Sequence, residues 1–227
     1  MEKIVLFLLI FIATTAINAQ EIFFPTSEGK ILVYKMFDKK NKETGMLRYT
    51  IKEVNISGDN MDIIYLVESL DSKGKEEFKE EITLNKKGDV LYFDMSNFIN
   101  KSAFQQDGEM PPGLEIKGNN LEVPINPQPG TTLPDANIEM AIKMGFVNMK
   151  IATNIINRKV ELIEDVTVPA GIFNCYKFTG DVTNTVMGKK ISSTTAEWYT
   201  RGLGVVKSES YDKNGKLNSY MVLTEVN

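Results

Sequence analysis

The chain has 227 residues, 42% hydrophobic and 25% charged, enough to bury one sizeable core or two small ones and too apolar for a disordered or fibrous protein. Its 26 Lys and Arg stand against 30 Asp and Glu, a net charge of −4 that offers no field for gripping phosphate backbones, so nucleic acid is not an expected partner. Histidine is absent, which removes Ser-His-Asp and Cys-His catalysis and every histidine-containing zinc or iron site.

Lys3 precedes an apolar run from Ile4 to Ala13, and the small-residue exit Ile17-Asn18-Ala19 follows. This is the pattern of a secretory signal peptide over 1–19, cleaved near Ala19; the run is shorter than the roughly 18 apolar residues of a membrane span. Position 20 is Gln, so the cysteine that lipid attachment requires is missing there. The mature chain is therefore expected to be periplasmic or secreted, with no transmembrane segment. Residues 20–227 are expected to form a single β-rich domain, with no disulfide, since Cys175 is the one cysteine. In the aromatic strand pattern Ile172–Phe178, that thiol reads as a small buried hydrophobe.

Polar clusters punctuate the mature chain at Asp38–Gly45, Ser57–Asn60, Asp71–Gly74, Asn85–Asp89, Gly188–Lys190 and Asp212–Gly215, each supplying the Gly, Asn or Asp that hairpin turns need. Between them the apolar period is two. Leu47, Tyr49 and Ile51 alternate with Arg48, Thr50 and Lys52, as in a half-buried strand. From Ile63 to Val67 both faces are apolar, the pattern of a central strand covered on each side. Ile138, Met140, Ile142 and Met144 alternate, and the phase flips near Gly145 so that Met149, Ile151 and Ile155 continue it; this predicts a hairpin rather than a helix.

Met95–Phe104 is the best helix candidate, with Met95, Phe98 and Ile99 on one side. Pro111, Pro112, Pro124, Pro127, Pro129 and Pro134 then mark 105–136 as a Pro-rich loop that cannot be a central strand. The fold expected is mainly β: a curved antiparallel sheet, or half-barrel, whose concave face is covered by the short helix and the Pro-rich loop.

The chemistry that survives the lack of histidine is thin. Ser27-Glu28-Gly29-Lys30 and Ser72-Lys73-Gly74-Lys75 match S-x-x-K but lie in turns, without the partner motifs that Ser-Lys catalysis uses. Asp212-Lys213-Asn214-Gly215 resembles the opening of a calcium loop, yet the closing acid is replaced by Leu223. Paired carboxylates could hydrolyse glycosides, but Glu76, Glu77, Glu80 and Glu81 read as a solvated strand face. No catalytic residue, metal ligand or cofactor motif is assigned, and the protein is read as a non-enzyme. Apolar and aromatic residues dominate the second half. Met140, Met144, Tyr176, Phe178, Met187 and Trp198 are the candidate lining of a ligand cavity in the concave sheet. The partner expected is a lipid or other apolar small molecule; the alternative is an envelope protein docking on a module whose core is filled.

Val166-Thr167-Val168-Pro169-Ala170-Gly171-Ile172-Phe173-Asn174-Cys175-Tyr176-Lys177 and Glu197-Trp198-Tyr199-Thr200-Arg201-Gly202-Leu203-Gly204-Val205-Val206-Lys207 together resemble a signature of the TapB-like family of secreted Bacteroidota proteins, with Thr131–Ala136 as a third piece. The resemblance implies an envelope or secreted location and a curved antiparallel sheet similar to periplasmic lipoprotein carriers, and it implies no activity. Physically, Pro169 and Gly171 suit a tight turn, and Gly202 and Gly204 a sharp corner after the Trp198 strand.

Overall fold

The computed structural model of the protein describes residues 21–98, 113–144 and 147–227, save the side chains of 98, 143, 144, 147 and 148. The signal peptide expected over 1–19, the turn expected near Gly145, residues 99–104 of the expected helix and Pro111 and Pro112 lie outside the described residues, as does the side chain of Met144.

The described residues form thirteen antiparallel strands. The first five are β1 (Ile31–Asp38), β2 (Glu43–Ser57), β3 (Asn60–Asp71), β4 (Glu76–Lys87) and β5 (Val90–Asp94). After a single 3-10 turn, Met95–Phe98, come β6 (Leu114–Gly118), β7 (Asn120–Pro124), β8 (Ala136–Met144) and β9 (Val147–Val168). The chain ends with β10 (Gly171–Val186), β11 (Lys189–Thr200), β12 (Gly204–Asp212) and β13 (Leu217–Val226). They pair as one sheet in the order β6-β8-β9-β10-β11-β12-β13-β1-β2-β3-β4-β5-β7. The mainly β, curved antiparallel reading holds, and the sheet curls far enough to be nearly a closed barrel.

Turn chemistry sets the register. Asp38, Asp71 and Asp212 each accept two backbone N–H groups on Oδ1, from Lys40 and Lys42, Lys73 and Lys75, and Asn214 and Lys216, at 2.8–3.0 Å. The calcium-like start at Asp212 thus spends its carboxylate on its own turn, and those amides hold the carboxyl below the usual range. The 138–156 stretch is a hairpin, with Met140 opposite Ile151 and Ile142 opposite Met149.

Three expectations need correction. In β3 only the inward residues Ile63, Tyr65 and Val67 are buried; Ile64 and Leu66 on the other face are half-buried and carry no second layer. The 105–136 segment contains two five-residue strands, β6 and β7, signalled by Leu114/Ile116 and Leu121/Val123 alternation; both are edge strands, which is where Pro124 is tolerated. Glu80 is not on a solvated face: it is half-buried opposite Val67, and its Oε2 is sealed without a hydrogen-bond partner.

The seam of the barrel lies between the two ends of the sheet. One residue, Asn119, joins β6 to β7; it donates to the carbonyl of Asp135 and accepts the amide of Asn137 at 2.9 and 2.6 Å. Past β7 the Pro-rich chain runs beside β9, where Gly130 donates to Val160, Val160 to Thr131, and Leu133 to Arg158. Its Ile125 and Leu133 join the core.

Candidate functional site

The interior is of two kinds. One region is filled: Leu32, Tyr34, Val166, Val168, Cys175, Ala196, Trp198, Val206 and Leu223 pack together, and Tyr34 is shared with the wall of the second. Here the β9–β10 turn, built on Pro169 and Ala170 and released by Gly171 at φ +143°, donates its Ala170 amide to the carbonyl of Leu223 at 3.3 Å. Burial pushes the Cys175 thiol up to about 12, with the Asp165 and Glu164 carboxylates adding to it, so the thiol is a packing group.

The other region is hollow. It encloses a cavity of about 710 Å³ lined largely by apolar and aromatic side chains, among them Phe24, Tyr65, Val67, Phe93, Ile155 and Phe178. The N-terminal segment Ile22–Pro25 is part of its wall and is buried. The Phe23 ring meets Tyr176 edge-on at 5.0 Å and lies 6.2 Å from Tyr199, and Phe24 lies 4.8 Å from Tyr65. Contacts of this kind add about 0.5–1.5 kcal/mol beyond burial. The corner after β11 seats this segment: the Gly202 amide donates to the Ile22 carbonyl at 2.8 Å, and Arg201 donates to that of Glu21 at 2.8 Å. A Cβ on Gly204 would come within 3.1 Å of the Phe23 carbonyl oxygen, and its φ of +85° is one that side chains resist, so both corner glycines serve the N-terminal segment.

Set into the apolar wall is a polar node. Alternation along β11 turns Glu197 and Tyr199 to the same side, and the Tyr199 hydroxyl donates to Glu197 Oε2 at 2.9 Å. Glu197 and Tyr49 are surrounded by protein yet keep part of their surface accessible; that surface faces the cavity. Burial raises the Glu197 carboxyl above the usual range, and neither the Tyr199 hydroxyl nor the nearby Arg158 charge reverses it. Burial, then Glu197, pushes Tyr49 up to about 12; burial likewise raises Tyr34, Tyr65 and Tyr199, so all four hydroxyls stay protonated at neutral pH.

Arg158, 5% exposed, comes from a bulged stretch of β9 that follows Asn157 at φ +54°. Its guanidinium donates to the carbonyls of Pro134 and Glu122 at 2.7 and 2.8 Å, binding β9 to β7 across the seam while it lines the cavity.

The structure scatters the residues singled out by sequence. Phe178 lines the cavity. Tyr176 is half-buried behind Phe23, and Met140 is buried in β8; neither is on the cavity wall. Trp198 belongs to the filled region, its indole N–H donating to Glu164 at 2.7 Å and its ring flanked by the ammonium groups of Lys177 and Lys207 at 5.0 and 4.7 Å. Met187 is 70% exposed at the β10–β11 tip. Sequence reasoning passed over Glu197, Arg158, Tyr49, Tyr65 and the Phe23-Phe24 pair; the signal available for Glu197 was a carboxylate on the same strand face as Tyr199.

Among the described residues, no group of His, Cys, Asp and Glu is placed to hold a metal ion, and no helix is long and apolar enough to cross a membrane. A search of curated proteins returns no match. Two solved structures share the fold. One, a Bacteroides fragilis protein thought to be exported and described as having a YmcC-like fold, is 20% identical, with a TM-score of 0.74 over 91% of this chain and 99% of that one. The other, a lipoprotein candidate from Parabacteroides distasonis, is 25% identical, with a TM-score of 0.72 and the same coverages, 91% and 99%. The family model described as DUF3108-like matches residues 27–223, and the chain belongs to that family.

Proposed function

We propose that the protein is an exported, non-enzymatic β-barrel that binds or carries an apolar, lipid-like ligand in the cell envelope. The observation that carries this reading is the cavity. At about 710 Å³ it falls within the roughly 300–1,000 Å³ range of small-molecule sites, and its largely apolar, aromatic wall also carries polar groups, Glu197 and Arg158 among them. The apolar pattern of 4–13 and the relatives described as exported or lipoproteins support delivery to the periplasm or beyond after cleavage near Ala19. The motifs around Val166–Lys177 and Glu197–Lys207 support a TapB-like assignment within the broader family.

Native mass spectrometry of the mature chain purified from its own envelope, followed by organic extraction, tests the reading. Stoichiometric lipid that is lost in Val67→Phe, a substitution that fills the cavity, is the expected result. A clean unliganded mass with a reproducible protein partner overturns it in favour of an interaction module. The exposed apolar residues Leu162, Ile163 and Ile172 would then be the surface to map.

A further inference from the structure

The polar node contains more hydrogen-bonding capacity than the protein uses. The hydroxyls of Tyr34, Tyr49 and Tyr65 make no hydrogen bond to the described residues, and Glu197 Oε1 accepts none. Nor are these atoms sealed: the one sealed, partnerless side-chain atom among the described residues is Glu80 Oε2. Tyr34 and Tyr49 rings lie 5.2 Å apart, and Tyr49 and Tyr65 5.6 Å, so the three rings form one cluster on the cavity wall. Covering such a group without giving it a partner costs about 1–3 kcal/mol, so an occupant that displaces water from the cavity binds best when it meets them.

Charge narrows the choice. Arg158 and Glu197 line the same cavity and act on one another electrostatically, and Asp94 and Glu77 add carboxyl groups to its wall, so the lining carries ionisable groups of both signs. Arg158 cannot swing toward an incoming anion without leaving the carbonyls of Pro134 and Glu122 that it bridges. A carboxylate or phosphate head would face Glu197 in a low-dielectric space, and an ammonium head would face Arg158; either arrangement is repulsive. A hydroxyl suits both, donating to Glu197 Oε1 and accepting from a tyrosine.

Resting on the carrier reading above, we infer that the ligand is an amphiphile with an uncharged, hydroxyl-bearing head, seated among Glu197, Tyr49, Tyr65 and Tyr34, with its apolar tail along Phe178, Ile155 and Phe93. The head-group selects by exclusion: charged heads of either sign are refused, and neutral ones are held by hydrogen bonds.

The test is a series with one tail and four heads: lauryl alcohol, monolaurin, laurate and laurylamine, each titrated into the mature protein by displacement of an apolar fluorescent probe. The alcohol and monolaurin are expected to bind about 10-fold or more tightly than laurate or the amine, the size of one charge-assisted hydrogen bond. In Glu197→Gln, laurate should gain at least about 10-fold on the alcohol, because Arg158 then stands unopposed. Tyr49→Phe and Tyr65→Phe, which remove only a hydroxyl, should each weaken the alcohol several-fold and serve if Glu197→Gln does not fold. Laurate binding as tightly as the alcohol, or an alcohol affinity untouched by all three substitutions, overturns the head-group inference and leaves the carrier reading standing. Failure of every amphiphile to bind removes both.

Discussion

The two interiors of this barrel are built from the same residue types and end differently. Around Trp198 and Cys175 the β9–β10 turn folds against Leu223, and the space is filled. Around Phe178 and Tyr49 the wall consists of large rings backed by the N-terminal segment and the Pro-rich chain, and about 710 Å³ stays open. The difference teaches that aromatic richness does not report whether a core is closed. The β9–β10 turn lies against Leu223 on the filled side, while Phe23 and Phe24 pack along the wall of the hollow one.

The largest effect should come from emptying the filled side. Trp198→Ala removes a ring that is only 5% exposed and should cost about 3–5 kcal/mol, read by urea denaturation. Phe23→Ala should cost a similar amount if the N-terminal segment is structural, and a near-wild-type midpoint would show that this wall does not support the barrel.

Adding volume sharpens the contrast. Val206→Phe in the filled region should cost about 1–3 kcal/mol from overpacking, whereas Val67→Phe, which borders the cavity, should shift the urea midpoint little. Equal penalties at the two sites would mean that the cavity is not open space. Arg158→Met, which strips the hydrogen bonds from the carbonyls of Pro134 and Glu122, should cost about 1–3 kcal/mol and loosen the seam first, visible as faster amide exchange at Glu122 and Leu133.

The smallest effect is on pH. The native Glu197 carboxyl is raised above its unfolded value, so the folded chain holds a proton that the unfolded chain gives up. Its contribution is fully present below the ordinary glutamate value near 4.3 and is lost as pH rises through the higher native value. A thermal-midpoint profile against pH should therefore decline over that window, and Glu197→Gln should lack the decline. Asp38 and Asp212, held low by their turn amides, act in the opposite direction and lose their contribution as pH falls through their depressed native values.

Local chemistry made much of the fold legible. The hairpin tips at Ser57–Asn60, Asp71–Gly74 and Asp212–Gly215 are written in Asp, Asn and Gly, and the period-two alternation of Ile138, Met140 and Ile142 identified β8. The Val168-Pro169-Ala170-Gly171 turn was legible for the same reason, since its geometry depends on four adjacent residues. The site was not, because it is assembled from distant ones. Arg158 meets the carbonyl of Glu122 across 36 positions, and Phe23 meets Tyr199 across almost the whole chain. Trp198 drew attention as the largest side chain, yet its neighbours on the strand, Glu197 and Tyr199, are the ones turned to the cavity. Composition points at big apolar residues; the register of β9, β10 and β11 decides which of them meet empty space.

A carrier needs the hollow side to take a ligand. Titration of one apolar fluorescent probe into the mature native protein and into Val67→Phe, at matched thermal midpoints, tests this most directly. Saturable one-to-one binding to the native chain, lost when the phenyl ring occupies the cavity, is the predicted result. Absence of binding to the native chain, or equal binding by both, would contradict it.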